Sequence, residues 1–116
     1  MVKQGIWKPI NCSQWSHGLV TVPKSNGEIR LTTDLTNLNK FVIPDKHPVP
    51  NLSDILLELR GAKYFTKLDL KKGYFHIELD EESIPLTTTI TPSGTFAYLR
   101  LPMGLTDASS VFQKAV

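Results

Sequence analysis

The chain has 116 residues, 41% hydrophobic and 21% charged, with 7 Gly and 8 Pro, which suits one ordinary globular domain and excludes disordered, collagen-like and coiled-coil chains. Thirteen Lys and Arg against eleven Asp and Glu leave a net charge of +2, too little for bulk charge to argue nucleic-acid binding. One cysteine, Cys12, and three scattered histidines exclude an internal disulfide framework and make structural zinc improbable.

Apolar runs are only a few residues long and the N-terminus carries no signal-peptide h-region, so a soluble, intracellular chain with no membrane partner is expected. Residues 1–40 carry five bases and two acids, whereas residues 80–116 carry two bases and four acids. Any basic patch therefore lies in the N-terminal third.

In chain order, Leu19–Pro23 and Glu28–Thr33 are short runs rich in Val, Ile, Leu and Thr around Asn26-Gly27, the signature of a β-hairpin. Lys24 and Arg30 fall near its tip, where long cations stay solvated and can meet an anion or serve as ordinary surface charge. Three prolines make Phe41–Pro50 an extended connector. Asn51 then reads as the N-cap of a helix of about ten residues, with Leu52, Ile55, Leu56 and Leu59 as an apolar stripe facing a sheet and Gly61 as the stop.

Tyr64–Leu70 reads as a strand, and after a bend at Gly73, Phe75, Ile77 and Leu79 alternate with His76 and Glu78 in a further extended run. The acidic turn Asp80–Glu82 leads to a second hairpin, Leu86–Thr91 and Thr95–Leu101, about Pro92-Ser93-Gly94. Thr106 or Asp107 caps a last helix from Ala108, which ends after about two turns and is read as a truncation.

Asp69 stands out, because an acid between Leu68 and Leu70 contradicts the pattern that places the strand. A buried, unpaired carboxylate costs several kcal/mol, so it needs a base, a backbone donor or a metal. Lys67, on the same strand face, would give a plain ion pair. The alternative is a hard divalent cation bridging the carboxylate to phosphates, suited to the amides, cations and aromatic ring of Leu70–Tyr74. Two-metal phosphoryl transfer needs at least two carboxylates. Asp34, Asp45, Asp54, Asp80 and Asp107 all sit at turns, caps or loops, and no Asp-Asp pair occurs. The chain reads as part of a metal site.

Three ordered blocks, WSHGLVTVPKSNGEIRLTTDLTNLNK (15–40), GAKYFTKLDLKKGYFHI (61–77) and LPMGLTDASSVFQ (101–113), resemble the fingers and early palm of a reverse transcriptase from a retrovirus or long-terminal-repeat retrotransposon of the gypsy-like kind. The resemblance covers about residues 5–116. It implies an α+β, incomplete fingers/palm fold with antiparallel hairpins and helices packed on the sheet. Fingers would take about 1–43 and 77–106, and palm about 44–76 and 107–116, stopping before the tyrosine-x-aspartate-aspartate motif.

The resemblance also implies roles. Asp69 is similar to the first catalytic aspartate, a ligand of both Mg²⁺ ions, and Leu70 would lend its backbone carbonyl to the second. Lys72 and Gly73 resemble the segment whose amides approach the triphosphate. Tyr74 is similar to the steric gate that excludes a 2′-hydroxyl. Lys24 and Arg30 match fingertip cations that grip the triphosphate, and Met103 and Gly104 border nucleotide and template.

The implied activity is RNA-directed DNA polymerisation, with an RNA or DNA template and primer, a deoxynucleoside triphosphate (dNTP) and the remainder of a polyprotein as partners, in a cytoplasmic particle. The chain alone is expected to be inactive, and a non-catalytic nucleic-acid-binding remnant of a retroelement is the alternative. Departures from the family pattern are Thr36 for arginine, His17 for proline, Met103 for an aromatic or glutamine, Asp107 for asparagine and Ser109 for proline. Leu86 and Thr88 replace basic or Lys-Thr residues before the second hairpin.

Overall fold

Two hairpins and one short strand build a single five-stranded sheet in the computed structural model, which describes residues 2–11, 13–44 and 48–116. Cys12, Asp45 and the middle of the expected Phe41–Pro50 connector lie outside the described residues. The strands are β1 (Trp7–Pro9), β2 (His17–Pro23), β3 (Ile29–Thr33), β4 (Thr89–Thr91) and β5 (Gly94–Tyr98), in spatial order β1-β5-β4-β2-β3. All neighbours are antiparallel except β2 and β4, which pair in parallel. The helices are α1 (Thr36–Asn39), α2 (Leu52–Glu58) and α3 (Ala108–Ala115), completing the α+β class expected from the sequence.

The β2–β3 hairpin closes at Asn26-Gly27, but only Gly27 takes a positive φ, +85°. Asn26 instead accepts the Glu28 amide on its side chain at 3.1 Å, and the Gly27 amide bonds Lys24 O at 3.2 Å. The second hairpin, β4–β5, turns through Pro92-Ser93 as expected, and Thr91 Oγ1 donates to Gly94 O at 2.8 Å.

The core lies under β1 and β5, where Ile6, Trp7 and Tyr98 are buried and Phe75, Leu79 and Phe96 pack against them. Trp7 stacks on Phe96 at 5.3 Å and meets Tyr98 edge-on at 5.7 Å, the offset geometries favoured by ring quadrupoles. A layer of buried hydroxyls ties the sheet together. Thr33 Oγ1 bonds Thr89 Oγ1 at 2.9 Å and the Tyr98 hydroxyl at 3.1 Å.

Four sequence expectations are corrected. Asn51 does cap α2, accepting the Asp54 amide at 2.9 Å, yet the stripe Leu52, Ile55, Leu56 and Leu59 is exposed and faces no sheet. Tyr64–Leu70 forms no ladder, because among the described residues no strand lies alongside to take its hydrogen bonds. Gly73–His76 is a 3-10 turn rather than strand, and extended pairing begins only near Glu78, which bridges to Arg100. Ile84–Thr87 is likewise a 3-10 turn, in which the Leu86 amide bonds Ser83 O at 3.1 Å and the Thr88 amide bonds Pro85 O at 3.4 Å, so β4 begins at Thr89.

Every residue from Pro48 to Lys72 is exposed. The Cα radius of gyration is accordingly 17.0 Å, against about 13 Å for a compact domain of this length.

Candidate functional site

The segment after Leu70 departs from regular structure abruptly. Lys72 adopts φ 54°, ψ 48° and is the one non-glycine residue in the left-handed region among the described residues. Such a conformation costs roughly 1 kcal/mol or more for a side chain with a Cβ, so surrounding contacts must hold it. The Phe75 amide bonds Lys72 O at 3.0 Å, closing the 3-10 turn Gly73–His76.

That turn packs on α3. A methyl group at Gly73 would stand 2.9 Å from Phe112 Cζ, so the ring lies directly on the glycine. Tyr74 meets the same ring edge-on, with centroids 5.2 Å apart at 71°. Its hydroxyl lies 3.0 Å from Ser109 Oγ, one helical turn before Phe112.

Between this turn and the segment that precedes it opens a cavity of about 420 Å³. It gathers Asp69, Leu70, Lys72, Gly73, Tyr74 and Met103, six of the residues singled out in the sequence, with Leu68, Phe75 and Phe112 completing the walls. Asp69 is exposed rather than buried, so it pays no burial penalty and needs no internal partner. Lys67 does not pair with it. Ion pairs form instead at Lys24–Glu28 and Arg100–Glu78.

Three singled-out residues stand outside the cavity wall: Lys24, Arg30 and Gly104. Lys24 Nζ is engaged by Glu28 Oε2 at 2.9 Å across the hairpin turn. The Glu28 carboxyl is held below its ordinary range first by that Lys24 bond, then by the Asn26 contact and, more weakly, by the charge of Lys71. Gly104 closes the loop carrying Met103, and Asn39 grips that loop twice, donating from Nδ2 to Gly104 O and accepting the Thr106 amide on Oδ1, both at 2.8 Å.

Sequence reasoning did not single out Ser109, Phe112 or Asn39 for the site. The three-residue spacing puts Ser109 and Phe112 on one face of α3, but nothing local in the sequence ties that face to Gly73 and Tyr74.

As to metal, a carboxylate oxygen of Asp69 and the neighbouring Leu70 carbonyl are hard donors of the kind Mg²⁺ takes. They make a partial set, since no cluster of three or more His, Cys, Asp or Glu occurs among the described residues.

The profile described as reverse transcriptase (RNA-dependent DNA polymerase) matches residues 22–116. The chain is 40% identical over 121 residues to the retrovirus-related Pol polyprotein from transposon 297 of Drosophila melanogaster, covering 100% of this chain and 11% of that protein. It is 39% identical to the corresponding polyprotein of transposon gypsy from the same organism, covering 100% of this chain and 12% of the relative. The chain thus spans about a tenth of the length of the curated relatives it matches. Among solved structures, the native prototype foamy virus protease-reverse transcriptase superposes with TM-score 0.79 at 30% identity, over 98% of this chain and 15% of that one. A foamy viral protease-reverse transcriptase in complex with double-stranded DNA superposes with TM-score 0.81 at 21% identity, over 98% and 24%, a likeness of fold.

Proposed function

The chain belongs to the reverse transcriptase (RNA-dependent DNA polymerase) family, and from that premise we propose that it is the fingers and early palm of a retroelement polymerase, supplying the nucleotide site and the first metal-binding carboxylate. The observation that carries the reading is the single cavity that unites Asp69, Lys72, Gly73, Tyr74 and Met103, residues separated by up to a third of the chain.

In this reading the primer 3′-oxygen attacks the α-phosphorus of a deoxynucleoside triphosphate. The bond from that phosphorus to the α,β-bridging oxygen breaks, pyrophosphate leaves and the hydroxyl proton passes to solvent. Magnesium held there would lower the pKa of the attacking hydroxyl and neutralise charge on the phosphates. Asp69 Oδ atoms and the Leu70 carbonyl are the donors this chain brings. Lys72 and Gly73 line the cavity that would take the triphosphate, and the Lys72 ammonium, which donates to Gln4 Oε1 at 3.3 Å, would exchange that exposed bond for phosphate. Tyr74 closes the sugar end, so that a 2′-hydroxyl collides with its ring. Met103 borders the base.

Lys24 and Arg30 approach from the hairpin. For Lys24 to grip phosphate it must exchange Glu28 for the ligand, a small cost for an exposed pair. The division into fingers (about 1–43 and 77–106) and palm (about 44–76 and 107–116), the template–primer and dNTP as partners, the rest of a polyprotein, and a cytoplasmic particle as the place of work are parts of the same proposal.

Because the described residues bring one carboxylate to the cavity, residues 1–116 alone are proposed to be inactive. Two measurements on the chain test this. Mn²⁺, a paramagnetic substitute for Mg²⁺, should broaden the amide signals of Leu68–Gly73 first, and Asp69→Asn should remove that selectivity. Primer extension by the chain alone should be absent. Broadening centred elsewhere contradicts the metal assignment, and extension by 1–116 contradicts the one-acid reading. Salt-sensitive nucleic-acid binding with no Mn²⁺ selectivity would favour the non-catalytic remnant.

A further inference from the structure

Ser109, on α3, makes a side-chain contact with Tyr74. Its Oγ lies 3.0 Å from the Tyr74 hydroxyl, and either oxygen can donate. The Tyr74 ring is thereby held at two points by one helix. Phe112 meets its edge at 5.2 Å, and Ser109, three residues earlier on the same face of α3, holds its tip. Phe112 is itself fixed by its seat on Gly73, where even a methyl group would collide at 2.9 Å. A phenol ring fixed only at Cβ can swing about its first side-chain torsion, whereas one whose far end is bonded cannot swing without breaking that bond.

We propose that Ser109 is a positioning residue for Tyr74. Its hydroxyl sets the tilt of the ring over the sugar end of the cavity and so sharpens discrimination of deoxyribonucleotides from ribonucleotides. This rests on the reading of Tyr74 as the sugar gate. Ser109 is exposed, so water competes for the same hydroxyls. The effect is accordingly graded, about three- to tenfold, the range a neutral hydrogen bond supports.

The test measures kcat/KM for a deoxynucleoside triphosphate over its ribose counterpart, in a polymerase polypeptide that contains this chain. Ser109→Ala and Tyr74→Phe should each lower the ratio by about fivefold, through a lower KM for the ribonucleotide, and the double variant should fall no further. Ser109→Thr, which keeps a hydroxyl, should hold the wild-type ratio. Tyr74→Val should collapse it well beyond these values.

If Tyr74→Val collapses the ratio while Ser109→Ala leaves it unchanged, the gate stands and the role of Ser109 is overturned. If Tyr74→Val leaves it unchanged, the gate reading falls and this proposal with it. A second measurement needs no activity. In the 116-residue chain labelled with 3-fluorotyrosine, Ser109→Ala should shift the Tyr74 fluorine signal, assigned by its loss in Tyr74→Phe, and leave that of Tyr98 in place. An unmoved Tyr74 signal overturns the proposal.

Discussion

Gly73 and Phe112 are in direct contact across 39 positions of sequence, with room for a hydrogen on the glycine Cα and for nothing larger, since an added Cβ would lie 2.9 Å from Phe112 Cζ. The backbone at Gly73 is not in the left-handed region, so the requirement is one of space rather than of torsion. Gly73→Ala should therefore force the Phe112 ring aside and loosen Tyr74 with it. The clash is with the tip of a half-buried ring that can tilt away, so the expected cost is about 1 kcal/mol, the low end for overpacking, read from urea denaturation and from altered Tyr74 ring signals.

Thr33 joins three strands through one hydroxyl, bonding Thr89 and Tyr98 in the buried layer. Thr33→Val keeps the shape and removes both bonds. Thr89 retains its bond to Thr87 O at 3.1 Å, so the Tyr98 hydroxyl bears most of the loss. A destabilisation of about 1–3 kcal/mol is expected, the cost of a buried polar group left without a partner. A denaturation midpoint equal to wild type would contradict the role of this layer.

The same tyrosine gives the fold an alkaline limit. Burial raises the Tyr98 phenol above its usual range, and the bond to Thr33 offsets part of that rise. The folded state thus holds the phenolic proton more tightly than the unfolded chain does. The resulting stability is fully present below the unfolded value of about 10 and is lost as pH rises through the folded value. Stability measured from pH 8 to 11.5 should fall at the upper end, and Tyr98→Phe should flatten that fall.

Helix α2 has its cap but no floor. Leu56 is 58% exposed, and its neighbours in the stripe are exposed as well. Leu56→Glu should therefore change the stability of the chain by no more than about 0.5 kcal/mol, as for other surface substitutions. It should also reduce association at high concentration in sedimentation experiments. A loss of several kcal/mol would mean that the stripe is packed.

The elements most legible in the sequence are those decided by neighbouring residues. Gly27, Pro92 and Gly94 set the two hairpins, Asn51 sets the start of α2, and Asp107 marks the entry to α3. Strand β1 was not legible, since Trp7–Pro9 has no alternation to recognise and owes its form to pairing with β5. The pattern Phe75, Ile77, Leu79 suits a strand, but the left-handed turn at Lys72 winds its first half into a 3-10 turn. Tyr64–Leu70 has strand composition but, among the described residues, no strand beside it, and composition alone does not supply hydrogen bonds. At the site, Asp69 announced itself as an acid among leucines, whereas the Ser109–Tyr74 and Gly73–Phe112 contacts span more than thirty positions and leave no local trace.

The most direct test of the polymerase reading is Mg²⁺-dependent primer extension by a polypeptide that continues this chain through the tyrosine-x-aspartate-aspartate motif, compared with its Asp69→Asn variant. Extension should fall by a factor of about 10³ or more, as for loss of a group acting in the transition state, while affinity for the primer–template stays within about twofold. Undiminished extension by Asp69→Asn would contradict the account.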